Sequence, residues 1–136
     1  MIVVDASVVA NLVGDDGPDG RLAAGRFAHG VGWTAPDLVD VETVSVLRRR
    51  WRSGDITAQR FRAAIDDLLA LPIMRVPTGP LMPRAYELRS NVTPYDAAYG
   101  ALAEALDCPL VTADARSAGA PGVRCVVEVL GQAGSV

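Results

Sequence analysis

The sequence predicts an α/β protein: a three-layer α/β/α sandwich with a mostly parallel sheet and helices on both faces. Short β-branched runs alternate with longer helical segments along the chain, which is typical of parallel strands joined by crossover helices. Half of the 136 residues are hydrophobic, enough for one compact core. We therefore expect a single domain over residues 1–130 and a frayed tail at 131–136.

The first half of the chain is predicted to hold two strands and four helices. In chain order these are strand Ile2–Val4, a helix ending near Val13, helix Arg21–His29, strand Trp33–Ala35, a helix ending near Arg52, and helix Ala58–Leu71. The segment GDDGPDG, Gly14–Gly20, is rich in turn-forming residues, which predicts a loop. Asp37 or its neighbour is expected to cap the helix ending near Arg52, and Thr57 the next one.

The second half of the chain is predicted to hold three strands and two helices. In chain order these are strand Ile73–Val76, helix Pro80–Ser90, a helix opened by Thr93-Pro94-Tyr95-Asp96, strand Leu110–Thr112 and strand Val123–Val127. Thr93 and Asp96 have the spacing of a capping box, and Pro94 stands at the favoured first helical position. The alanines and glycine that follow Asp96 allow this helix to lie close against the sheet.

Composition excludes several classes of function. The chain contains no lysine, which rules out a Walker A motif, a Schiff base and the phosphorylation chemistry of receiver domains. The net charge of −3 argues against a general nucleic-acid binder. No long uncharged apolar segment and no basic leader occur, and Cys108 and Cys125 lack metal-site spacing. We expect a cytoplasmic protein with reduced thiols that does not contact a membrane.

Two acids follow predicted strands. Asp5 comes directly after Ile2–Val4, and Asp114 comes shortly after Leu110–Thr112. Because ligand sites in open parallel sheets gather outside the carboxyl ends of the strands, the two side chains are expected on one edge of the sheet. The alternative for each is a purely local role, capping the following helix or interacting with its dipole.

Two further acids belong to predicted helices. Glu42 has apolar neighbours on its helix face, Leu38 and Val46 among them. A carboxylate in such surroundings needs a partner, which is either the same site or an ion pair with Arg49 or another arginine. Asp96 lies at a helix N-terminus that points toward the same edge of the sheet, although the capping role alone would also explain it.

If these four acids converge, their mutual repulsion raises their pKa values and opposes folding. A bound divalent cation removes that penalty, and an all-oxygen site suits Mg²⁺, for which Mn²⁺ can substitute. Zinc is disfavoured because His29 is the one histidine and the cysteines are not clustered.

The segments MIVVDAS, PDLVDVETVSVLRRR, TPYDAAYGALAEAL and PLVTADAR follow one another along nearly the whole chain. Together they resemble the PIN-domain ribonucleases and, more narrowly, the VapC-type toxins of type II toxin–antitoxin pairs. The resemblance implies a PIN-like domain whose catalytic and metal-binding acids are Asp5, Glu42, Asp96 and Asp114. It also matches Ser7 to a polar residue beside the first acid, and Thr112 is expected to orient a carboxylate.

The resemblance implies a toxin that hydrolyses RNA phosphodiester bonds with Mg²⁺ or Mn²⁺. It also implies a VapB-type antitoxin, with grooves lined by Val9, Leu12 and Leu47, and a homodimer. Weaker candidates for RNA contact are Arg49, Trp51 and Arg116, since arginine pairs with phosphate and tryptophan stacks on bases. The alternatives are cations at a helix C-terminus and a core tryptophan.

A second hypothesis is a catalytically inactive PIN-like binding module that acts with a DNA-binding antitoxin in transcriptional regulation. A phosphotransfer receiver or an aspartyl-phosphate phosphatase also carries an aspartate after the first strand. The sequence Asp5-Ala6-Ser7 and the missing lysine argue against both of these classes.

Overall fold

The computed structural model describes residues 1–131 and shows a five-stranded sheet in which every strand pair is parallel. The strand order is β3-β2-β1-β4-β5. The strands are β1 Ile2–Val4, β2 Trp33–Pro36, β3 Ile73–Val76, β4 Leu110–Thr112 and β5 Val127–Val129. The chain adds strands on one side of β1 and then crosses to the other side, so the topological switch point lies between β1 and β4.

Helices cover both faces of the sheet. They are α1 Ala6–Gly14, α2 Pro18–Phe27, α3 Val39–Arg52, α4 Ala58–Ala70, α5 Met82–Glu87 and α6 Pro94–Leu106. Helix α1 packs against α2, α3 and α4, whereas α5 packs against α6, which also contacts β1, β2 and β4. The predicted three-layer α/β/α sandwich is confirmed. Among the described residues, no helix is long and apolar enough to cross a membrane.

The centre of the sheet forms the core. All residues of β1 and β4 are buried, and Val3, Val4 and Val111 are fully enclosed. Strands of a parallel sheet are covered on both faces, which is why their sequences are continuous apolar runs. This burial made β1 and β4 predictable from the sequence. It also holds the residues that follow these two strands at the carboxyl edge of the sheet.

The loop predicted at Gly14–Gly20 is shorter in the structure. Helix α1 continues through Gly14, and α2 begins at Pro18 rather than at Arg21. Proline suits the first turn of a helix because its fixed φ is helical and its missing N–H is not needed there. The Asp15 carboxylate stabilises the short connection by accepting hydrogen bonds from the backbone N–H groups of Gly17 (2.7 Å) and Gly20 (3.3 Å).

Two elements of the second half also differ from prediction. The helix predicted at Pro80–Ser90 is a 3₁₀ turn at Gly79–Leu81 followed by α5, because Pro83 has no N–H to continue the hydrogen-bond ladder. The last strand is Val127–Val129 rather than Val123–Val127. Only these residues lie opposite the three residues of β4, with Val127 in register with Leu110. Gly131 is the only residue of the expected frayed tail within the described residues.

Asp37 does not cap α3. The N-cap position belongs to Leu38, which makes no side-chain cap bond. The Asp37 carboxylate instead accepts hydrogen bonds from Thr78, at 2.6 Å from the hydroxyl and 3.2 Å from the backbone N–H, and so ties the end of β2 to the segment after β3. Thr57 caps α4 as expected, accepting from the Arg60 N–H at 3.0 Å.

A partly buried ion pair joins α5, α6 and the segment before β5. Arg84 donates to both Glu104 oxygens at 2.8 and 3.2 Å, and one of those oxygens also accepts the Arg124 N–H at 2.8 Å. The hydrogen bond from Arg84 holds the pKa of Glu104 below its usual value. The charged form of Glu104 therefore stabilises the fold above its ordinary pKa, and this stability is lost as pH falls through the lowered pKa.

We expect Glu104→Gln to lower the free energy of unfolding by about 1 kcal/mol at neutral pH, because charge-assisted hydrogen bonds are lost. The variant should also lose less stability than the wild type on acidification. Urea unfolding at neutral and acidic pH measures both effects. Glu87→Gln is the control, since Glu87 is exposed and 3.6 Å from Arg84. Equal behaviour of the two variants would contradict this role of Glu104.

Candidate active site

A groove runs along the carboxyl edge of the sheet at the switch point. It consists of two adjoining cavities of about 520 and 540 Å³. Both cavities share the residues Asp5, Asp96, Tyr99, Asp114 and Ser117. Open parallel sheets place ligand sites at this position.

All four predicted acids line the 520 Å³ cavity. Asp5 and Asp114 follow the neighbouring strands β1 and β4, in which Val4 lies opposite Val111. Glu42 lies in the first turn of α3 and Asp96 in the first turn of α6. Residues distant in sequence therefore border one space because the strands end, and the helices begin, at the same edge.

Asp5 is the most constrained of these acids. Its Oδ1 accepts hydrogen bonds from the Ser7 hydroxyl at 2.5 Å and from the backbone N–H groups of Ser7 (3.1 Å) and Val8 (3.3 Å). Its Oδ2 accepts the Thr112 hydroxyl at 2.5 Å. The capping role and the position in the cavity thus coexist, and burial raises the pKa of Asp5.

Ser7 and Thr112 connect the ends of β1 and β4. Each hydroxyl donates to Asp5. Each also accepts a hydrogen bond at 3.0 Å from a backbone N–H after β4: the Ala113 N–H donates to Ser7, and the Asp114 N–H donates to Thr112. The accepted N–H groups fix the direction in which the hydroxyl protons point. The pair therefore holds the Asp5 carboxylate in one orientation.

Glu42 is bound by a tyrosine. The Tyr99 hydroxyl donates to Glu42 Oε1 at 2.7 Å, so the suggested ion pair with Arg49 is wrong. Burial, together with the charges of Asp96 and Asp5, raises the pKa of Glu42. Tyr99 was not among the residues singled out from the sequence, although its position three residues after Asp96 places it on the same face of α6.

Asp114 is paired with an arginine. Arg116 donates to both Asp114 oxygens, from Nε at 3.0 Å and from Nη2 at 2.9 Å, and its backbone N–H adds a third bond at 3.0 Å. These contacts lower the pKa of Asp114. The expectation that repulsion raises the pKa of every acid is therefore wrong for Asp114.

Asp96 remains exposed at the start of α6, where its backbone N–H donates to the Thr93 hydroxyl at 3.2 Å. This contact is the threonine half of the predicted capping box. Asp96 lines both cavities, so the capping motif positions this acid without removing it from the groove.

The four acids border one cavity but do not converge on one point. Within residues 1–131, no three histidine, cysteine, aspartate or glutamate side chains form a ready group of metal ligands. The donor chemistry nevertheless fits Mg²⁺, which is commonly held by one or two carboxylates and several waters. Asp5 and Glu42 fit best, since burial disfavours their charge and a cation would offset that cost.

Two of the three candidate RNA-contacting residues line the groove, and the third does not. Arg49 lines the 520 Å³ cavity and Arg116 lines the other one. Trp51 packs against Phe61, with ring centroids 6.2 Å apart, and is not part of either cavity wall.

The residues expected to line antitoxin grooves are mostly unavailable for that role. Val9 and Leu47 are completely buried in the core, and Leu12 packs against the core while remaining partly exposed. This expectation is therefore wrong for Val9 and Leu47.

A parallel α/β sandwich with a carboxylate-lined groove at its switch point defines the class of this protein. The model of the PIN domain matches residues 2–122. Ribonuclease VapC1 of Mycobacterium tuberculosis is 40% identical over 129 residues, which are 94% of this chain and 96% of that protein. The chain belongs to the PIN-domain family and, within it, to the VapC ribonucleases.

Solved structures agree with this fold. The crystal structure of Mycobacterium tuberculosis VapC20, a toxin that cleaves the sarcin–ricin loop, has a TM-score of 0.67 at 21% identity and covers 91% of this chain and 99% of that one. VapBC2 from Rickettsia felis, solved bound to a DNA fragment from its promoter, has a TM-score of 0.66 at 15% identity, covering 96% and 99%.

Proposed function

We propose that this chain is the toxin of a toxin–antitoxin pair and acts as a Mg²⁺-dependent endoribonuclease, with Mn²⁺ able to substitute. The observation that carries the proposal is that Asp5, Glu42, Asp96 and Asp114, from four separate elements, line one cavity. The identity to relatives named ribonucleases over nearly the whole chain supports the same activity. The reaction is hydrolysis of a phosphodiester bond by water, leaving a 3′-hydroxyl group.

A bound divalent ion supplies water activation and charge stabilisation at the phosphorus centre. The chain supplies the orientation of its carboxylates: Ser7 and Thr112 fix Asp5, and Tyr99 fixes Glu42 through one oxygen. Such partners of ligands contribute to metal affinity and activity because they keep the ligand oxygens in place.

Two arginines are candidates for contact with the phosphate backbone, although Arg116 also binds both oxygens of Asp114. Arg49 and Arg116 line the two cavities on either side of the acids, and guanidinium groups bind phosphate through paired hydrogen bonds. Trp51 has a weaker claim, because it packs on Phe61 outside the groove.

The proposed partners are a VapB-type antitoxin and a second copy of the chain. VapBC2 of Rickettsia felis was solved as an assembly on promoter DNA, and a related assembly is proposed for this protein. Arg116 pairs with Asp114 within the chain, and the proposed antitoxin arginine would pair with a groove carboxylate in the same way.

The test is cleavage of a labelled single-stranded RNA by the purified chain. We expect internal cuts in Mg²⁺ or Mn²⁺, products with 5′-phosphate ends, complete arrest by a chelator and recovery when either ion is restored. Cleavage that continues in excess chelator, or products ending in a 2′,3′-cyclic phosphate, would contradict the proposal.

A further inference from the structure

The two cavities of the groove have different walls on either side of the shared acids. The first, here called the α3 lobe, adds Val41, Ser45, Val46, Arg49 and Tyr95. The second, here called the loop lobe, adds Asn91, Thr93, Arg116, Pro121 and Val123. Each is within the roughly 300–1,000 Å³ of small-molecule pockets, so each has room for a nucleotide.

The α3 lobe combines exposed apolar groups with a cation. The Tyr95 side chain is 63% exposed and Val41 is 75% exposed, and both line the same cavity. Single exposed apolar residues are common, but Val41 from α3 and Tyr95 from α6 line the same acidic cavity, which Arg49 also lines. An unstacked base between apolar side chains, with its phosphate near an arginine, matches these features.

The loop lobe combines apolar side chains, Pro121 and Val123 among them, with groups that form hydrogen bonds. Asn91 and Thr93 are exposed and line this lobe together with Arg116. An asparagine amide can both donate to and accept from the edge of a base, whereas the stacking surface of Tyr95 does not distinguish base edges.

A phosphodiester bond has one nucleotide on each side, and Asp5, Asp96 and Asp114 line both lobes. We infer that single-stranded RNA crosses the groove with one flanking base stacked on Tyr95 in the α3 lobe and the other hydrogen-bonded to Asn91 in the loop lobe. Tyr95 then supplies affinity for any base on its side of the cut, whereas Asn91 sets the nucleotide preference on the other side. This inference rests on the proposed ribonuclease activity.

The first test measures binding of a short single-stranded RNA in chelator, where cleavage does not interfere. Loss of one aromatic–base stack should weaken binding of Tyr95→Ala about 5- to 100-fold, and Tyr95→Phe should restore it because the ring is kept. Tyr86→Ala is the matched control, since Tyr86 is 66% exposed but lines neither lobe. RNA carrying 5-iodouridine should crosslink to Tyr95.

The second test maps cuts in a randomised single-stranded RNA pool with Mg²⁺. Asn91→Ala should flatten the preference on the side of the cut that the loop lobe holds, whereas Tyr95→Ala should weaken binding and leave the preferences as they are. Cleavage with unchanged preferences and unchanged affinity in both variants would overturn the inference while leaving the ribonuclease proposal intact. Crosslinking to Tyr95 without any cleavage would overturn the ribonuclease proposal and support the RNA-binding path inferred here. If Tyr95→Ala weakened binding of an antitoxin but not binding of RNA, the inference about Tyr95 would also be overturned.

Discussion

Asp5→Asn is expected to lower RNA cleavage by more than about a hundredfold while the fold is retained. Loss of a residue that only orients a metal ligand typically costs about 10- to 100-fold, and Asp5 is proposed as a ligand itself. The change removes the negative charge and one of the two oxygens. Asparagine caps helices as well as aspartate does, so the bonds from the N–H groups of Ser7 and Val8 can be kept.

Stability should separate the functional effect from a structural one. Because burial already disfavours the charge of Asp5, removing that charge should leave the free energy of unfolding unchanged or slightly higher. The control is Asp37→Asn. Asp37 also follows a strand at this edge, but its carboxylate binds Thr78 and it lines neither cavity. Asp5→Asn activity within tenfold of the wild type would contradict the assignment of Asp5.

Gly20→Ala is expected to destabilise the protein by about 3 kcal/mol or more. A Cβ on Gly20 would overlap the Asp15 carbonyl oxygen and lie 2.7 Å from its carbon, with the Asn11 carbonyl oxygen at 3.0 Å. These are backbone atoms of α1 and of the α1–α2 connection, so no side-chain movement can relieve the clash. Relief would require α2 to move away from the end of α1.

Gly25→Ala in the same helix is the matched control. A Cβ there meets nothing within 4 Å, and alanine is favoured over glycine in helices, so this variant should gain about 0.5–1 kcal/mol. Urea unfolding of both variants measures the difference. A Gly20→Ala protein as stable as the wild type would show that α1 and α2 do not pack as closely as described.

The sequence was most informative where burial is extreme. Strands β1 and β4 are buried at every position and were predicted with their observed bounds, and this also located Asp5 and Asp114 after their ends. Strand β5 was misplaced because valines are spread over the whole of Val123–Val129, and only pairing with β4 selects the three residues that form the strand. Strand pairing depends on the tertiary structure, so the local sequence alone does not indicate it.

The candidate site was predictable as a set of acids but not as a set of contacts. Position along the chain indicated which carboxylates share the groove, whereas the partners depend on helix rotation and side-chain reach. The bond from Tyr99 to Glu42 and the Arg116 pair with Asp114 are of this kind. Arg49 shares the cavity of Glu42 without being its partner.

Binding of Mn²⁺, followed by its electron paramagnetic resonance signal, tests most directly whether these carboxylates hold a divalent ion. The wild type and Asp37→Asn should both show saturable binding that Mg²⁺ displaces, and Asp5→Asn should bind more than about tenfold more weakly. Equal Mn²⁺ binding by the wild type and Asp5→Asn, or no saturable binding by the wild type, would contradict the account.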